Sequence, residues 1–228
     1  MKIGILQAGH GPDILIEKTG DYGVLFQNFL SGNSFDFEIY SVVDMAFPSS
    51  ANDADGWLIT GSKHGCYDNL PFIAPLEDLI RDIYSQSLPL AGICFGHQII
   101  AQALGGKVEK FKQGWSVGLT EYDFEGQKVA LNAWHQDQVT RLPEGASVTG
   151  SSDFCKNAFI SYADKVFTLQ AHPEFENTFV KGLIEHRGPG VVPPELLDQA
   201  RRTLAQDNAN SVIKRKMTTL FQSSMVDT

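Results

Sequence analysis

Residues 89–108, PLAGICFGHQIIAQALGGKV, contain the corner on which the fold depends. The apolar run LPLAGIC predicts a buried strand, and GHQIIAQAL predicts a helix that stops at the glycines after it. Cys94 lies at the junction of these two elements, with Gly92 and Gly96 two residues to either side. The sequence therefore predicts a tight strand-to-helix turn with a thiol at its tip.

The segments before this corner alternate between strand and helix patterns. Short apolar runs predict strands at KIGILQAG, FDFEIYSVV and DGWLITGS. Helical spacing of apolar residues predicts helices at DYGVLFQNFL and PLEDLIRDIYSQS. Strands that alternate with helices imply a parallel sheet with helices on both faces.

The segments after the corner change in character. Strand-like segments with short polar connections follow, and antiparallel additions to the sheet fit them best: WSVGLTEYDF, KVALNAWH, ASVTGSS, NAFISYA and KVFTLQAH. NTFVKGLIEH then predicts a helix, and residues 195–221 predict one or two more. We predict one α/β domain over residues 1–190 and a C-terminal helical extension over residues 191–228 that packs on it.

Composition and charge narrow the classes of function. The chain has 228 residues and is 43% hydrophobic, enough for a substantial core, and its net charge is −9. Such a negative field argues against binding to nucleic acid or to anionic membrane surfaces. There are three cysteines and no CxxC, so we expect no disulfide framework. No run approaches the roughly 20 apolar residues of a membrane span, and we expect a cytoplasmic protein.

The thiol at the corner has the surroundings of a nucleophile. G-x-C-x-G is the cysteine form of the nucleophile elbow, in which side chains at the two glycine positions would collide. A helix that starts beside the sulfur favours the thiolate, the form that attacks a carbonyl carbon. The backbone N–H of Phe95 is placed to stabilise the resulting oxyanion. A buried structural cysteine is the alternative for an isolated Cys94, and the flanking glycines favour the nucleophile.

The segment LQAHPEF supplies a base for this thiol. His172 ends an apolar strand, and Pro173 prevents helix at that point. In extended chain, residues i and i+2 project to the same side, so Glu174 can reach His172 and select its tautomer. A capped strand end with a surface glutamate is the alternative for HPE taken alone.

These two segments together resemble a known family. PLAGICFGHQIIAQALGGKV with QAHPE resembles the class I (triad-type) glutamine amidotransferases over about residues 40–185. The most similar members are stand-alone proteins resembling the amidotransferase domain of GMP synthase, and plant γ-glutamyl peptidases carry a similar CFGHQ. The resemblance implies a flavodoxin-like three-layer α/β sandwich, with a mostly parallel central sheet, antiparallel additions and helices on both faces.

The resemblance also implies roles for individual residues. It makes Cys94 the nucleophile, His172 the base and acid, and Glu174 the carboxylate that orients His172. The implied oxyanion-hole donors are Gly61, Ser62 and Phe95. The implied substrate contacts are Gln98, Trp115, Ser116 and His135.

Two departures from the family pattern leave details open. Thr60-Gly61-Ser62 stands where many members have Gly-Gly-Pro, so the choice of donor between Gly61 and Ser62 is not settled. In WHQDQVTRLPEG, Trp134 stands where serine or asparagine is usual.

The implied function is hydrolysis of the side-chain amide of glutamine through a γ-glutamyl thioester on Cys94. The released ammonia would pass to an acceptor or a separate synthetase, since the chain carries no nucleotide-binding motif. One alternative is a γ-glutamyl peptidase that uses the same thioester chemistry on γ-glutamyl peptides or conjugates. Another is a non-catalytic regulatory module, against which the intact Cys94, His172 and Glu174 weigh.

Neither a cofactor nor a metal site is expected. The cysteines and histidines lack the C-x₂₋₄-C spacing that is typical of zinc sites. His97 lies one turn beyond Cys94, and we interpret it as a packing residue rather than a second base.

Overall fold

A computed structural model describes residues 1–223 of the chain. Residues 224–228, the end of the predicted C-terminal extension, lie outside the described part. A nine-stranded sheet with the order β2-β1-β3-β4-β11-β10-β9-β6-β7 forms the centre, and β5 and β8 form a separate two-stranded sheet. The predicted mixed sheet, mostly parallel at its centre with antiparallel additions, is confirmed.

Five strands form the parallel half of the sheet. Their bounds are β1 Lys2–Leu6, β2 Asp36–Tyr40, β3 Gly56–Ile59, β4 Leu90–Ile93 and β11 Val166–Leu169. The prediction that the segment KVFTLQAH joins as an antiparallel strand is wrong on one side. The strand β11 pairs antiparallel with β10 but parallel with β4, because it is the junction between the two halves.

The remaining strands pair in antiparallel fashion. Those of the large sheet are β6 Ser116–Phe124, β7 Gln127–His135, β9 Ala146–Ser151 and β10 Phe159–Tyr162. Those of the small sheet are β5 Lys107–Lys110 and β8 Asp137–Arg141. The two small-sheet strands were not predicted, since segments of four and five residues give little periodicity.

Helices cover both faces of the sheet, as predicted. The bounds are α1 Asp13–Thr19, α2 Tyr22–Phe29, α3 Ile73–Ser85, α4 Phe95–Ala103, α5 Asn177–His186, α6 Pro194–Thr203 and α7 Asn210–Gln222. Helices α3 and α4 pack in one apolar layer, and α2 and α7 pack in the layer on the opposite face. A third apolar cluster joins α1, α5 and α6 at one end of the molecule.

The helix α3 shows how the apolar pattern builds a layer. Leu76, Ile80 and Ile83 recur at helical spacing and are fully buried against the sheet. Burial of each such side chain contributes roughly 1.5–3 kcal/mol to folding. The amphipathic pattern therefore decides which face of the helix meets the sheet.

The two last helices also lie against the sheet. Met217 and Phe221 of α7 are fully buried in its layer, and α6 passes directly over β6. A Cβ on Gly118 of β6 would lie 2.6 Å from the Cβ of Ala200 in α6, so glycine permits this close approach. The division into a domain over residues 1–190 and an extension from 191 stays a prediction.

Among residues 1–223, no helix combines the length and the apolar character that crossing a bilayer requires.

Candidate active site

The backbone at Cys94 is strained in the manner of a nucleophile elbow. Cys94 follows β4 and precedes α4, with φ 53° and ψ −102°. A side-chain-bearing residue in such a region costs on the order of 1–3 kcal/mol, and residues of this kind cluster at functional sites. The predicted strand-to-helix turn is confirmed.

The flanking glycines are required by contact distances. A Cβ on Gly96 would lie 2.3 Å from the backbone oxygen of Ile59 on the neighbouring strand β3. A Cβ on Gly92 would lie 2.5 Å from Cδ1 of Ile100 and 2.7 Å from the backbone oxygen of Gly96. Since no real Cβ fits at either distance, the expectation that side chains here would collide is confirmed.

His172 is held beside the thiol from several directions. Its backbone N–H donates to the oxygen of Asn132 at 2.8 Å, and its ring stacks on Phe175 with centroids 4.0 Å apart and an interplanar angle of 3°. Its side chain lies close enough to Cys94 for the cysteine to raise the pKa of His172. The structure thus brings together two residues that are 78 positions apart in the chain.

Glu174 completes the arrangement. Nδ1 of His172 lies 2.7 Å from Oε1 of Glu174, and because a carboxylate only accepts, the imidazole donates this hydrogen bond. The Glu174 side chain has no exposed surface, and its Oε2 is buried without a partner among the described residues. We call Gly92–Gly96, His172 and Glu174 the thiol corner.

The charges in the thiol corner set the protonation of its histidine. Burial lowers the pKa of His172, but the Glu174 carboxylate and Cys94 oppose this and raise the pKa above its ordinary value of 6.5. His172 is consequently able to carry a proton at neutral pH and to donate it to a neighbouring group.

The thiol corner opens onto a cavity of about 240 Å³. Four of the predicted residues line it together with Cys94, namely Ser62, Gln98, Trp115 and His135. A continuous segment of the lining is Trp134–Asp137, which we call the far wall.

The other predicted residues lie near the cavity but do not line it. Gly61 lies against the side chains of His172 and Cys94, since a Cβ on it would be 2.9 Å from Cε1 of His172 and 3.8 Å from the Cβ of Cys94. The side chain of Phe95 is buried in the apolar layer, and its backbone N–H belongs to the first turn of α4. Ser116 pairs with His135 across β6 and β7.

Gln98 is engaged within the protein. Its Nε2 donates to the backbone oxygen of Asp137 at 2.9 Å and to Oε1 of Gln170 at 3.0 Å. Both donor hydrogens are therefore used to tie α4 to β8 and to the end of β11. Any contact of this residue with a ligand is left to its Oε1.

His97 has the packing role that the sequence predicts. It is fully buried, and its Nδ1 lies 2.8 Å from the hydroxyl of Thr168. Burial, with a smaller contribution from His135, lowers the pKa of His97 to about 3. A neutral imidazole facing Thr168 does not compete with His172 for the thiol.

Several residues of the cavity lining were not predicted. They are Lys63, His64, Gly65, Tyr67, Asp68, Lys110, Trp134, Gln136, Asp137 and Arg187. Trp134 could have been singled out from the sequence, because it stands where the family usually has serine or asparagine. Its Nε1 is buried without a partner among residues 1–223. No sequence pattern pointed to Arg187, because it reaches the cavity only through the position of the end of α5.

Within residues 1–223, no three His, Cys, Asp or Glu side chains gather as a metal ion would require. The three cysteines are free and buried.

Comparisons with known proteins agree with this geometry. Residues 36–184 match the family described as Glutamine amidotransferase class-I. Gamma-glutamyl peptidase 3 of Arabidopsis thaliana is 26% identical over 222 residues, which cover 89% of each chain. GMP synthase (glutamine-hydrolyzing) of Treponema denticola is 31% identical over 173 residues, which cover 69% of this chain and 32% of that protein.

The fold is also found among solved structures. The crystal structure of a glutamine amidotransferase from Methylobacillus flagellatus superposes with a TM-score of 0.74 at 21% identity and covers all of this chain and 94% of the other. The flavodoxin-like three-layer arrangement is thereby confirmed.

Proposed function

The chain belongs to the class I glutamine amidotransferase family, and we propose that it hydrolyses the side-chain amide of glutamine through a γ-glutamyl thioester on Cys94. The observation that carries the proposal is the thiol corner, where Cys94, His172 and Glu174 meet at the edge of a cavity. A thiol with a histidine in contact and a carboxylate behind the histidine has the arrangement of a nucleophile, a base and an orienting group.

In the first half of the reaction, the Cys94 thiolate adds to the amide carbon, and a carbon–sulfur bond forms. The N–H of Phe95 and an N–H of Gly61 or Ser62 stabilise the oxyanion. His172 then donates its proton to the amide nitrogen, the carbon–nitrogen bond breaks, and ammonia leaves. The γ-glutamyl group remains on the sulfur as a thioester.

In the second half, His172 accepts a proton from water, and the resulting hydroxide adds to the thioester carbon. The carbon–sulfur bond breaks, and glutamate and the Cys94 thiolate are regenerated. Glu174 holds the imidazole in one tautomer and stabilises its charged form throughout. The ammonia would be used by a separate synthetase or another acceptor.

A γ-glutamyl peptidase is the second candidate function. The same thioester would form, with the amine of a peptide or conjugate as the leaving group in place of ammonia. Two observations favour this candidate. The cavity is lined by Lys63, Lys110 and Arg187, and the similarity to gamma-glutamyl peptidase 3 extends over nearly the whole of both chains.

The decisive experiment is a steady-state comparison of glutamine, glutathione and γ-glutamyl dipeptides as substrates. Free ammonia from glutamine at the highest kcat/KM supports the amidotransferase half-reaction, and faster turnover of the peptides supports the peptidase. The Cys94→Ala variant is the control for both. Hydrolysis that persists in this variant would place the chemistry elsewhere in the molecule.

A further inference from the structure

The charge around the cavity differs from that of the whole protein. The chain carries a net charge of −9, but the charged side chains lining the cavity are three cations and two carboxylates. The cations are Lys63, Lys110 and Arg187, and the carboxylates are Asp68 and Asp137. A site richer in cations than its surroundings attracts an anionic ligand.

One of the two carboxylates already has a partner within the protein. Burial raises the pKa of Asp137, and its Oδ2 accepts a hydrogen bond from the hydroxyl of Tyr67 at 2.8 Å. The cations therefore outnumber the carboxylates of the lining, and one carboxylate is engaged by Tyr67.

Arg187 is the least exposed of the three cations. It is half-buried at the end of α5, whereas Lys63 and Lys110 are exposed. Within residues 1–223, no ion pair or hydrogen bond engages its guanidinium, although Arg81 and Arg201 each pair with an aspartate three residues earlier. A cation at a helix C-terminus is favourable in itself, but this does not satisfy the donors of the guanidinium.

Arg187 lines the cavity with Cys94 and lies near the side chains that surround His172. The ring of Phe175 stacks on His172 and lies 6.2 Å from the ring of Tyr22. Burial raises the pKa of Tyr22 to about 12, and the charge of Arg187 opposes this rise. The same charge contributes, after burial and Lys63, to lowering the pKa of His64 in the cavity lining.

In the proposed reaction the leaving amine must lie within reach of His172, because His172 gives it a proton. A group attached to the leaving nitrogen is therefore placed in the cavity that Arg187 lines.

We propose that Arg187 binds a carboxylate on the leaving amine, so that the site cleaves a γ-glutamyl peptide with a free carboxylate better than the same peptide without one. The proposal rests on the Cys94 chemistry proposed above. Ammonia offers Arg187 nothing to bind, whereas an amino acid or dipeptide offers a planar carboxylate that matches the two-pronged guanidinium. Water and the γ-glutamyl peptide yield glutamate and the free amine, and the bound carboxylate is unchanged.

A matched pair of substrates tests this assignment. γ-Glutamylglycine and γ-glutamylglycinamide share the scissile bond and differ only in the carboxylate that Arg187 is to bind. In the unaltered protein, we expect a higher kcat/KM for γ-glutamylglycine. In Arg187→Gln, kcat/KM for γ-glutamylglycine should fall by about 10- to 100-fold, and that for the glycinamide should change little.

Two further variants sharpen the test. Arg187→Lys keeps the charge without the planar fork and should retain part of the preference. Lys181→Gln removes a cation from the same helix that pairs with Glu185 outside the cavity, and it should leave both substrates unaffected. Thermal unfolding of each variant establishes that it is folded.

The possible failures are distinguishable. Equal losses on both substrates in Arg187→Gln would mean that Arg187 serves the shared γ-glutamyl part, and this would overturn the inference. Cys94-dependent hydrolysis of glutamine without cleavage of either dipeptide substrate would also overturn it and leave the proposed function standing. Absence of Cys94-dependent hydrolysis on every substrate would overturn both.

Discussion

The thiol corner and the far wall border the same cavity but are built in different ways. In the thiol corner, the backbone leaves no space for a side chain at Gly96, since a Cβ there would lie 2.3 Å from the oxygen of Ile59. In the far wall, the backbone of β7 is held by pairing with β6, and its side chains face the cavity. Among residues 1–223, Nε1 of Trp134 and Nε2 of His135 in this wall are buried without partners.

The histidines of the two regions have pKa values that are shifted in opposite directions. Both are buried, yet the pKa of His172 is raised, whereas burial lowers the pKa of His135 to about 3. The difference lies in the partner of Nδ1, which is the Glu174 carboxylate for His172 and a backbone oxygen, 3.3 Å away at Asp137, for His135. For the proposed reaction, this comparison assigns proton transfer to the thiol corner and substrate recognition to the far wall.

Removal of the sulfur of Cys94 is the change with the largest expected effect on activity. Cys94→Ala should lower the steady-state rate on any γ-glutamyl substrate by about 10⁴-fold or more, because no nucleophile remains. Cys155→Ala is the matched control, since Cys155 is a second buried cysteine that lies in the apolar core and not in the cavity lining. A large loss in Cys155→Ala, or activity in Cys94→Ala, would contradict the assignment.

Glu174→Gln tests whether the charge of the corner histidine matters. We expect kcat/KM to fall by about 10²- to 10⁴-fold. The raised pKa of His172 keeps it protonated above the pH of an ordinary histidine, and the loss of the Glu174 charge lowers that pKa. The alkaline limb of the pH profile should therefore move to lower pH, while the exposed Glu176→Gln leaves it in place.

Glycine substitutions compare the backbones of the two regions. Gly96→Ala should lower the free energy of unfolding by about 1–3 kcal/mol in urea titrations, because the new Cβ must displace β3. It should also lower activity, since the displacement moves Cys94. Gly126→Ala, in the turn from β6 to β7, adds only the strain of a positive φ with no atom within 4 Å, about 1 kcal/mol. Gly126→Ala should stay fully active, and equal activity in both variants would contradict the contrast.

The smallest effect concerns the neutral histidine of the far wall. Below about pH 6.5 the unfolded chain binds a proton at His135 that the folded chain does not bind, so stability falls as the pH falls toward 3. One such group contributes up to about 1.4 kcal/mol per pH unit. In urea unfolding, His135→Gln should make this slope shallower, and adding His97→Gln should make it shallower again. An unchanged slope would mean that His135 is protonated in the folded state.

The parallel half of the sheet and the thiol corner were predictable for local reasons. Apolar runs and helical spacing are properties of neighbouring residues, and the glycines at 92 and 96 mark the turn by themselves. The direction of β11 was not predictable, because one edge meets β10 and the other meets β4, and only the assembled sheet decides that. The role of Gln98 as an internal tie was missed for the same reason.

The sequence by itself determined the alternation of strands and helices, the thiol at the elbow, and the His172–Glu174 pair two residues apart. Each of these depends on contacts within a few positions of the chain, so local pattern suffices. Only the tertiary structure decided that Arg187 and Trp134 share a cavity with Cys94, and which buried histidine carries charge. A pKa and a cavity lining depend on groups brought together from distant strands and helices, and the local sequence does not determine which of these groups meet.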